Sequence, residues 1–475
     1  MVGANVVPDK GNPIFLAKVC FVASLGGVLF GFDTAVISGT FSFVEVFFGL
    51  SKLEVGWFAS SALVGAILGA AIAGGLSDRY GRKPVLIAAA LLFFTSALGS
   101  AVPPGFMFLI CARLIGGLGV GMASVLAPLY ISEFAPPKIR GRLVALYQLS
   151  IVIGILLAYF SNWLLLGFSN GNDMAFGGTG LLHKILVSEV WRGMFGSEMI
   201  PSGLFILLLF TIPESPRWLV KNGQTDEGYS ILERISGGIT AKIELADIKE
   251  TVNHVRGRIS ELLKPGLRMA LVVGVGLSVF GQFTGVNIIV YYGPTIIGDA
   301  GFKLDSALQF QVAIGVINLI FTCIALWRID KWGRRPLLIW GMAAACISLM
   351  IIAIQFSLNL SSGIWIVIMI CIYMASLALS INAVIWVLIG EIFPNRIRGR
   401  AMSIATFANW GINFLTAFLF PWYVAKAGMN VGFFTFAAMC LLATIFFYRF
   451  VPETKGKSLE EIERYWKPGN KKRIF

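Results

Sequence analysis

Two short charged stretches decide the fold: residues 78–83, Asp78-Arg79-Tyr80-Gly81-Arg82-Lys83, and residues 330–335, Asp330-Lys331-Trp332-Gly333-Arg334-Arg335. Each stretch connects two apolar segments of about 20 residues, the length that a helix needs to cross the hydrocarbon of a bilayer. The stretches begin 252 residues apart, at positions 78 and 330. Their similarity predicts that one unit of membrane helices occurs twice in the chain.

Two further motif pairs repeat in the same order, at offsets of 258 residues (133 and 391) and 239 residues (214 and 453). Three ordered matches predict two related six-helix halves, an arrangement typical of secondary transporters. The repeated motifs are Glu133 with Pro136 and Arg140-Gly141-Arg142, Glu391 with Pro394 and Arg398-Gly399-Arg400, Pro213-Glu214-Ser215, and Pro452-Glu453-Thr454.

The composition excludes a water-soluble globule, because 57% of the residues are hydrophobic, only 13% are charged and the mean hydropathy is +0.81. Soluble chains have about a quarter charged residues. We predict an all-α membrane protein with twelve helices in two halves, residues 1–212 and 264–475, joined by a cytoplasmic helical linker at 213–263. The predicted spans are 15–40, 57–77, 84–102, 105–130, 141–165, 189–212, 265–292, 308–328, 336–357, 363–392, 400–424 and 428–451.

The distribution of Lys and Arg sets the topology. With a cytoplasmic N-terminus, five of the 38 fall on the outer side, one lies within a span, and the rest are cytoplasmic. This bias predicts that both termini are cytoplasmic. The net charge of +13 belongs to these loops, so we expect no nucleic-acid partner. The cysteines show neither metal-ligand spacing nor a disulfide framework; they are Cys20, Cys111, Cys323, Cys346, Cys371 and Cys440.

Each repeated cytoplasmic motif places acids beside Arg or Lys. Such pairs between the halves would latch the cytoplasmic side and break when it opens. Alternatively, the basic residues only fix the topology. The predicted gate residues are Asp78, Arg82, Glu133, Arg140, Arg142, Glu214, Arg217, Asp330, Arg334, Glu391, Arg398, Arg400 and Glu453.

With these motifs, the chain resembles the sugar porter family of the major facilitator superfamily over nearly its whole length. The resemblance implies sugar transport by alternating access between the two halves. It also rests on four other stretches: residues 31–39 (Gly31-Phe32-Asp33-Thr34-Ala35-Val36-Ile37-Ser38-Gly39), the glycine-rich stretch 113–142, residues 213–219 (Pro213-Glu214-Ser215-Pro216-Arg217-Trp218-Leu219), and residues 285–292.

Three ionisable residues lie deep in predicted spans: Asp33, Arg113 and Glu198. Such groups are costly in a membrane and mark functional sites. The resemblance implies that Asp33 and Arg113 form a proton-coupling pair, whereas a static ion pair that fixes helix packing is the alternative. Glu198 is a proton relay or a packing residue. The histidines, His183 and His254, lie in predicted loops and are poor candidates for a deep proton step.

A sugar needs many directional hydrogen bonds and an aromatic surface. Polar and aromatic side chains in the spans offer both, although amides and Trp also stabilise contacts between helices. The candidate substrate-binding residues are Gln148, Gln282, Asn287, Asn318, Trp386, Asn409, Phe30, Tyr291, Asn382 and Trp410.

The chain departs from the family pattern at two places. Gly281 stands where the family usually has the first of two glutamines, and Asn382-Ala383 stands where it has Gly-Pro. We expect gained space at Gly281 and a reshaped pocket in which Asn382 replaces part of the lost amide. The identity of the sugar therefore stays open.

These features predict proton-coupled uptake of a small sugar or sugar-like polyol by alternating access. Passive sugar facilitation is the alternative, and a non-transporting sugar receptor is a third hypothesis. No nucleophile–base set, metal spacing or cofactor motif occurs, so we predict neither an enzyme nor a bound metal or cofactor. We expect a monomer in the lipid bilayer of a bacterial inner membrane.

Overall fold

The structure is a computed structural model of the chain. It describes residues 11–137, 139–171, 178–252, 259–264, 267–358, 363–394, 397–457, 461–462 and 465–466. These described residues form helices and loops but no β-strand. His254 lies outside them.

In the described part of the first half, five long helices overlap the first five predicted spans, and four helices are shorter. A 3-10 turn, Ile37–Gly39, extends the first helix, and a π-helical turn, Lys184–Ser188, precedes α8. The helices are α1 Pro13–Val36, α2 Phe41–Phe48, α3 Lys52–Tyr80, α4 Arg82–Ala101, α5 Phe106–Phe134, α6 Arg140–Gly171, α7 Gly180–His183, α8 Val190–Gly196 and α9 Met199–Leu209.

Three short helices and a 3-10 turn, Ile259–Leu263, connect this half to the second. The connecting helices are α10 Pro216–Lys221, α11 Thr225–Ser236 and α12 Gly238–Val252. The second half contains α13 Leu267–Phe283, α14 Val286–Asp299, α15 Leu304–Trp332, α16 Arg334–Ser357, α17 Ile364–Leu379, α18 Ile381–Ile392, α19 Arg398–Ala427 and α20 Met429–Phe450.

Within the described ranges, eleven helical segments are long and apolar enough to cross a membrane. The predicted sixth span, 189–212, is instead two helices, α8 and α9, which meet at Ser197-Glu198. Pro201 accounts for the break, because its nitrogen has no hydrogen to donate to the carbonyl of Ser197, four residues earlier. The break places Glu198 at the start of α9, in the interior of the half.

Two other spans are interrupted where the predicted binding residues lie. Gly285, with φ +84°, separates α13 from α14, and glycine is the residue that adopts this conformation at least cost. The hydroxyl of Tyr373 donates to the carbonyl of Thr284 at 2.8 Å and satisfies one group that the break leaves open. Ser380 separates α17 from α18.

Glycines allow α3 and α5 to pack backbone against backbone. A Cβ on Gly65 would meet the carbonyl of Leu114, and one on Gly117 would meet that of Ala62. Such close contact between helices is the usual role of small residues in membranes.

The connecting helices dock on the first half. The indole nitrogen of Trp218 in α10 donates to the carbonyl of Asp78 at 3.1 Å. The backbone nitrogen of Asn12 donates to the carbonyl of Arg234 in α11 at 2.8 Å, and the Arg234 guanidinium lies 4.0 Å from the ring centre of Phe15. The beginning of α1 is therefore tied to the linker.

Candidate functional site

Asp33 of α1 and Arg113 of α5 form a buried ion pair. Arg113 Nη1 lies 2.6 Å from Asp33 Oδ1, and each side chain is 2% exposed. Arg113 Nη2 also donates to the backbone carbonyl of Asp33 at 3.2 Å, and the guanidinium lies 5.5 Å from the ring centre of Phe195. The two residues that sequence reasoning paired are thus in direct contact in the interior.

Glu198 is the third buried charge-bearing residue of this region. It is 1% exposed, and its Oε1 makes no hydrogen bond to any described residue. It lies three residues after Phe195, whose ring packs against the Arg113 guanidinium. The structure therefore places all three predicted proton-coupling residues in the buried interior of the first half.

A narrow cavity connects the ion pair to the second half. Asp33, Thr34 and Arg113 line it from the first half, whereas Tyr291 of α14 and Trp410 of α19 line it from the second. Phe30 lies one turn before Asp33, and its ring centre is 5.6 Å from that of Trp410. The aromatic candidates Phe30, Tyr291 and Trp410 thus lie together beside the ion pair.

Three amide side chains of the second half form a hydrogen-bonded chain. Gln282 Nε2 donates to Asn409 Oδ1 at 2.9 Å, and Asn287 Nδ2 donates to Gln282 Oε1 at 2.7 Å. The break at Gly285 turns α14 so that Asn287 reaches back to Gln282. Each of these amide side chains can both donate and accept hydrogen bonds.

The other substrate candidates lie on neighbouring helices. Asn318 of α15 is 4% exposed, and its Oδ1 makes no hydrogen bond to a described residue. Gln148 on α6, and Asn382 and Trp386 on α18, are each half-buried.

Comparison with known proteins decides the family. Residues 19–466 match the family model described as "Sugar (and other) transporter". The chain belongs to the sugar transporter family. It is 42% identical over 453 residues to the arabinose-proton symporter of Bacillus subtilis (strain 168), covering 95% of each chain. It is also 39% identical over 493 residues to the D-xylose-proton symporter of Escherichia coli (strain K12), covering 97% of this chain and 98% of that one.

Solved structures agree. The inward open conformation of the xylose transporter from E. coli matches this sugar transporter with a TM-score of 0.82 and 37% identity, covering 95% of this chain and 100% of that one. A proton:xylose symporter bound to 6-bromo-6-deoxy-D-glucose matches with a TM-score of 0.77 and 37% identity, over 96% and 100% of the chains. The predicted fold class, a twelve-helix major facilitator fold in two halves, is confirmed. The chain is a multi-pass membrane transporter and not an enzyme.

On the loops that carry the repeated charged motifs, the sugar transporter has the same arrangement in both halves. Glu214, after α9, accepts from the backbone nitrogens of Arg82 at 3.0 Å and Lys83 at 3.1 Å. Burial raises the pKa of the Glu214 carboxyl, and these backbone donors oppose that rise. In the second half, Glu453 accepts from Arg334 at 3.1 Å and Arg335 at 3.0 Å. Each carboxylate therefore caps the helix that begins after a repeated loop.

The predicted gate residues also form ion pairs. Arg82 binds Glu133 at 3.1 Å and Asp78 at 3.2 Å. Arg334 binds Glu391 at 3.0 Å and Asp330 at 2.9 Å. These described pairs join residues of the same half, because each set surrounds one capped helix end. A latch between the halves stays a prediction.

The remaining gate candidates are arginines at or near helix beginnings. Arg140 Nε donates to the carbonyl of Ala135 at 3.4 Å, and Arg398 Nε donates to that of Phe393 at 3.3 Å. Arg142 and Arg217 are exposed, and Arg400 is half-buried.

The expectation of gained space at Gly281 is wrong. A Cβ at this glycine would lie 3.3 Å from Ile381 Cγ1 and 3.4 Å from Ile385 Cδ1. These branched side chains of α18 occupy the volume beside the glycine. The packing between α13 and α18 at Gly281 is therefore apolar.

Sequence reasoning missed several polar residues of the interior. Asn413 donates to the hydroxyl of Tyr291 at 3.2 Å, and Asn162 donates to the carbonyl of Val36 at 2.9 Å. The sequence could have indicated both residues, since both are amides within apolar segments and Asn413 lies one turn after Asn409.

Proposed function

We propose that this chain takes up a small sugar together with a proton by alternating access. The observation that carries the proposal is that the buried Asp33–Arg113 pair lines the same cavity as Tyr291 and Trp410 of the other half. Relatives that align over almost the whole chain are named arabinose-proton and D-xylose-proton symporters.

Proton coupling follows from the chemistry of the pair. Arginine stays protonated in proteins, so Asp33 is the partner that changes its charge. Ionised Asp33 binds Arg113, and protonation removes the charge attraction that holds them together. Since Asp33 and Arg113 lie on different helices, loss of the pair would change how α1 packs on α5. Proton binding would thereby bias the equilibrium between outward and inward states.

Sugar recognition is assigned to the amide chain and its aromatic neighbours. Gln282, Asn287 and Asn409 satisfy one another in this structure, and sugar hydroxyls would replace those internal bonds. Phe30 and Trp410 offer ring faces to the C–H surface of a sugar. Asn318 supplies a further acceptor, with Gln148, Asn382 and Trp386 as additional contacts.

The substrate class comes from relatives and is a small sugar such as arabinose or D-xylose. The apolar contact of Gly281 with Ile381 and Ile385 favours a substrate that makes fewer hydrogen bonds on that side.

We also assign a bacterial inner membrane with cytoplasmic termini and a monomeric state. The charge bias of the loops supports the orientation, and the bacterial relatives support the membrane. The division into halves at 1–212 and 264–475, joined by the linker at 213–263, is supported by the two equivalent capped loops. Latching of the cytoplasmic side by the charged residues belongs to the same proposal.

The substitution Asp33→Asn tests the coupling. In liposomes with an imposed inward proton gradient, wild type should accumulate arabinose or D-xylose above equilibrium. The variant should lose accumulation completely and retain exchange of labelled for unlabelled sugar, because an amide of similar size cannot carry the proton.

Sugar exchange serves as the control for folding and binding. Passive facilitation predicts that wild type only equilibrates the sugar across the membrane and that sugar entry does not acidify the liposome interior. Undiminished accumulation by Asp33→Asn would contradict the assignment of Asp33.

A further inference from the structure

Ser96 lies in α4 with a fully buried side chain, 1% exposed, and its Oγ makes no hydrogen bond to a described residue. The adjacent Thr95 differs, because its Oγ1 donates to the carbonyl of Leu91 at 2.9 Å. Hydroxyls in membrane helices commonly bond to the preceding turn in this way. The hydroxyl of Ser96 is thus directed away from its own helix backbone.

Gly116 of α5 brings Ser96 and Asp33 together. An ideal Cβ on Gly116 would lie 3.2 Å from Asp33 Oδ1 and closer still to Ser96 Oγ. The distance between Ser96 Oγ and Asp33 Oδ1 is therefore less than twice this 3.2 Å. Because Gly116 has no side chain, no Cβ stands between them. The glycine follows Arg113 by three residues and so lies on the same side of α5.

In this structure Asp33 is held by Arg113. A protonated Asp33 no longer has that charge attraction, and its new O–H requires an acceptor, since a buried polar group without a partner is costly. A serine hydroxyl both accepts and donates. We propose that Ser96 is the second partner of Asp33, which holds its carboxyl when the proton is bound and Arg113 is released. This inference rests on the proposed proton coupling.

Ser96 is therefore a positioning residue, since it acts through Asp33 and does not carry the proton itself. Other titratable groups lie near Asp33, and the effect of Ser96 on the pH profile has to be separated from their effects. Near Asp33 are Arg113 of α5, Glu198 at the start of α9 and Tyr291 of α14, whereas Arg192 of α8 binds the carbonyl of Ala101 at the end of α4.

The substitution Ser96→Ala tests the proposal through the pH profile of uphill uptake in liposomes, with arabinose and D-xylose as the probes. Removal of a partner of the protonated form lowers the proton affinity of Asp33, so a lower pH is needed for half-maximal accumulation. We expect an acid shift of about 0.5 to 1 pH unit, the equivalent of one hydrogen bond. Ser96→Thr, which keeps the hydroxyl, should restore the wild-type midpoint.

Ser100→Ala is the matched control. Ser100 lies one turn along α4, is also 1% exposed, and its Oγ likewise makes no hydrogen bond to a described residue. Its removal should leave the midpoint unchanged. Sugar exchange at constant pH reports folding. If Ser96→Ala does not exchange, Ser96→Cys replaces it with an expected shift in the same direction, because a thiol sulfur is a weak acceptor for the O–H of protonated Asp33.

An unchanged or alkaline-shifted midpoint in the exchanging variant overturns the role of Ser96, and so does an equal shift in Ser100→Ala. If wild type accumulates neither sugar, the proposed coupling fails, and this inference fails with it. An unshifted midpoint in Ser96→Ala, with accumulation intact in wild type, therefore refutes the role of Ser96 without refuting the proposed coupling.

Discussion

Gln282 holds the centre of the amide chain, because it donates to Asn409 and accepts from Asn287. Its two bonds join α13, α14 and α19. A single side chain thus orders the groups that are assigned to the sugar. In a low-dielectric interior such a network is stabilising only while each member keeps its partners.

The substitution Gln282→Leu should weaken sugar binding strongly. It leaves Asn409 and Asn287 each without a partner and removes two groups that a sugar would use. Loss of one buried polar partner costs about 1–3 kcal/mol, which corresponds to about 5- to 150-fold in affinity. Titration of purified protein with D-xylose and arabinose would measure it.

Gln355→Leu is the control, because Gln355 is a half-buried amide in α16 that is not part of the hydrogen-bonded chain of Gln282, Asn287 and Asn409. Its affinity should equal that of wild type. Equal affinity in Gln282→Leu would contradict the assigned site.

At the scale of the element, the two carboxylate caps explain why the loops repeat. Helix beginnings leave backbone nitrogens without partners, and Glu214 and Glu453 supply acceptors to α4 and α16 from the end of the sixth helix of each half. A positive φ at Gly81 and at Gly333 turns the chain just before each cap. The repeated glycine and the repeated acid therefore act together, because the glycine turns the chain and the acid caps the helix that follows.

Glu214→Ala and Glu453→Ala should lower stability by similar amounts. Loss of a side-chain cap typically costs about 1 kcal/mol. The midpoint of thermal unfolding in detergent would measure the effect. Glu250→Ala is the control, because Glu250 is exposed near the end of α12. A loss in only one half, or an equal loss in the control, would contradict the equivalence of the caps.

At the scale of the molecule, the two halves meet at the ends of the helices away from the linker. Phe41 stacks on Tyr292 with ring centres 4.6 Å apart, and Trp57 packs edge-on against Phe418 at 6.5 Å. A Cβ on Gly56 in α3 would collide with the carbonyl of Phe418 in α19. This close approach agrees with the match to inward open transporters.

Gly56→Leu should prevent this contact and block transport. The bulky side chain would separate α3 from α19, so the closed state of this side becomes inaccessible. Uptake and exchange in liposomes should fall to background, while hydrogen exchange at the outer ends of α3 and α19 should increase.

Gly167→Leu in α6 is the matched control, because no heavy atom lies within 4 Å of its Cβ position. It should transport normally. Normal transport in Gly56→Leu would show that the close contact is not needed for the cycle.

The family resemblance implied that Asp33 pairs with Arg113, and the sequence alone determined the membrane helices, the two halves and the presence of buried charges that need a partner. Each of these depends on a cost that acts on a residue or a segment by itself: an apolar segment avoids water, and a charge in hydrocarbon needs a partner. The helix break near Pro201 was also foreseeable from the sequence, because proline lacks a backbone N–H, although the span was predicted as one helix.

Only the tertiary structure decided which helices meet. The amide chain joins residues 127 positions apart in sequence, the isoleucines of α18 occupy the volume beside Gly281, and Gly116 leaves Ser96 facing Asp33. These contacts depend on the rotation and depth of whole helices, which packing of complementary surfaces sets and which no local pattern in one helix records.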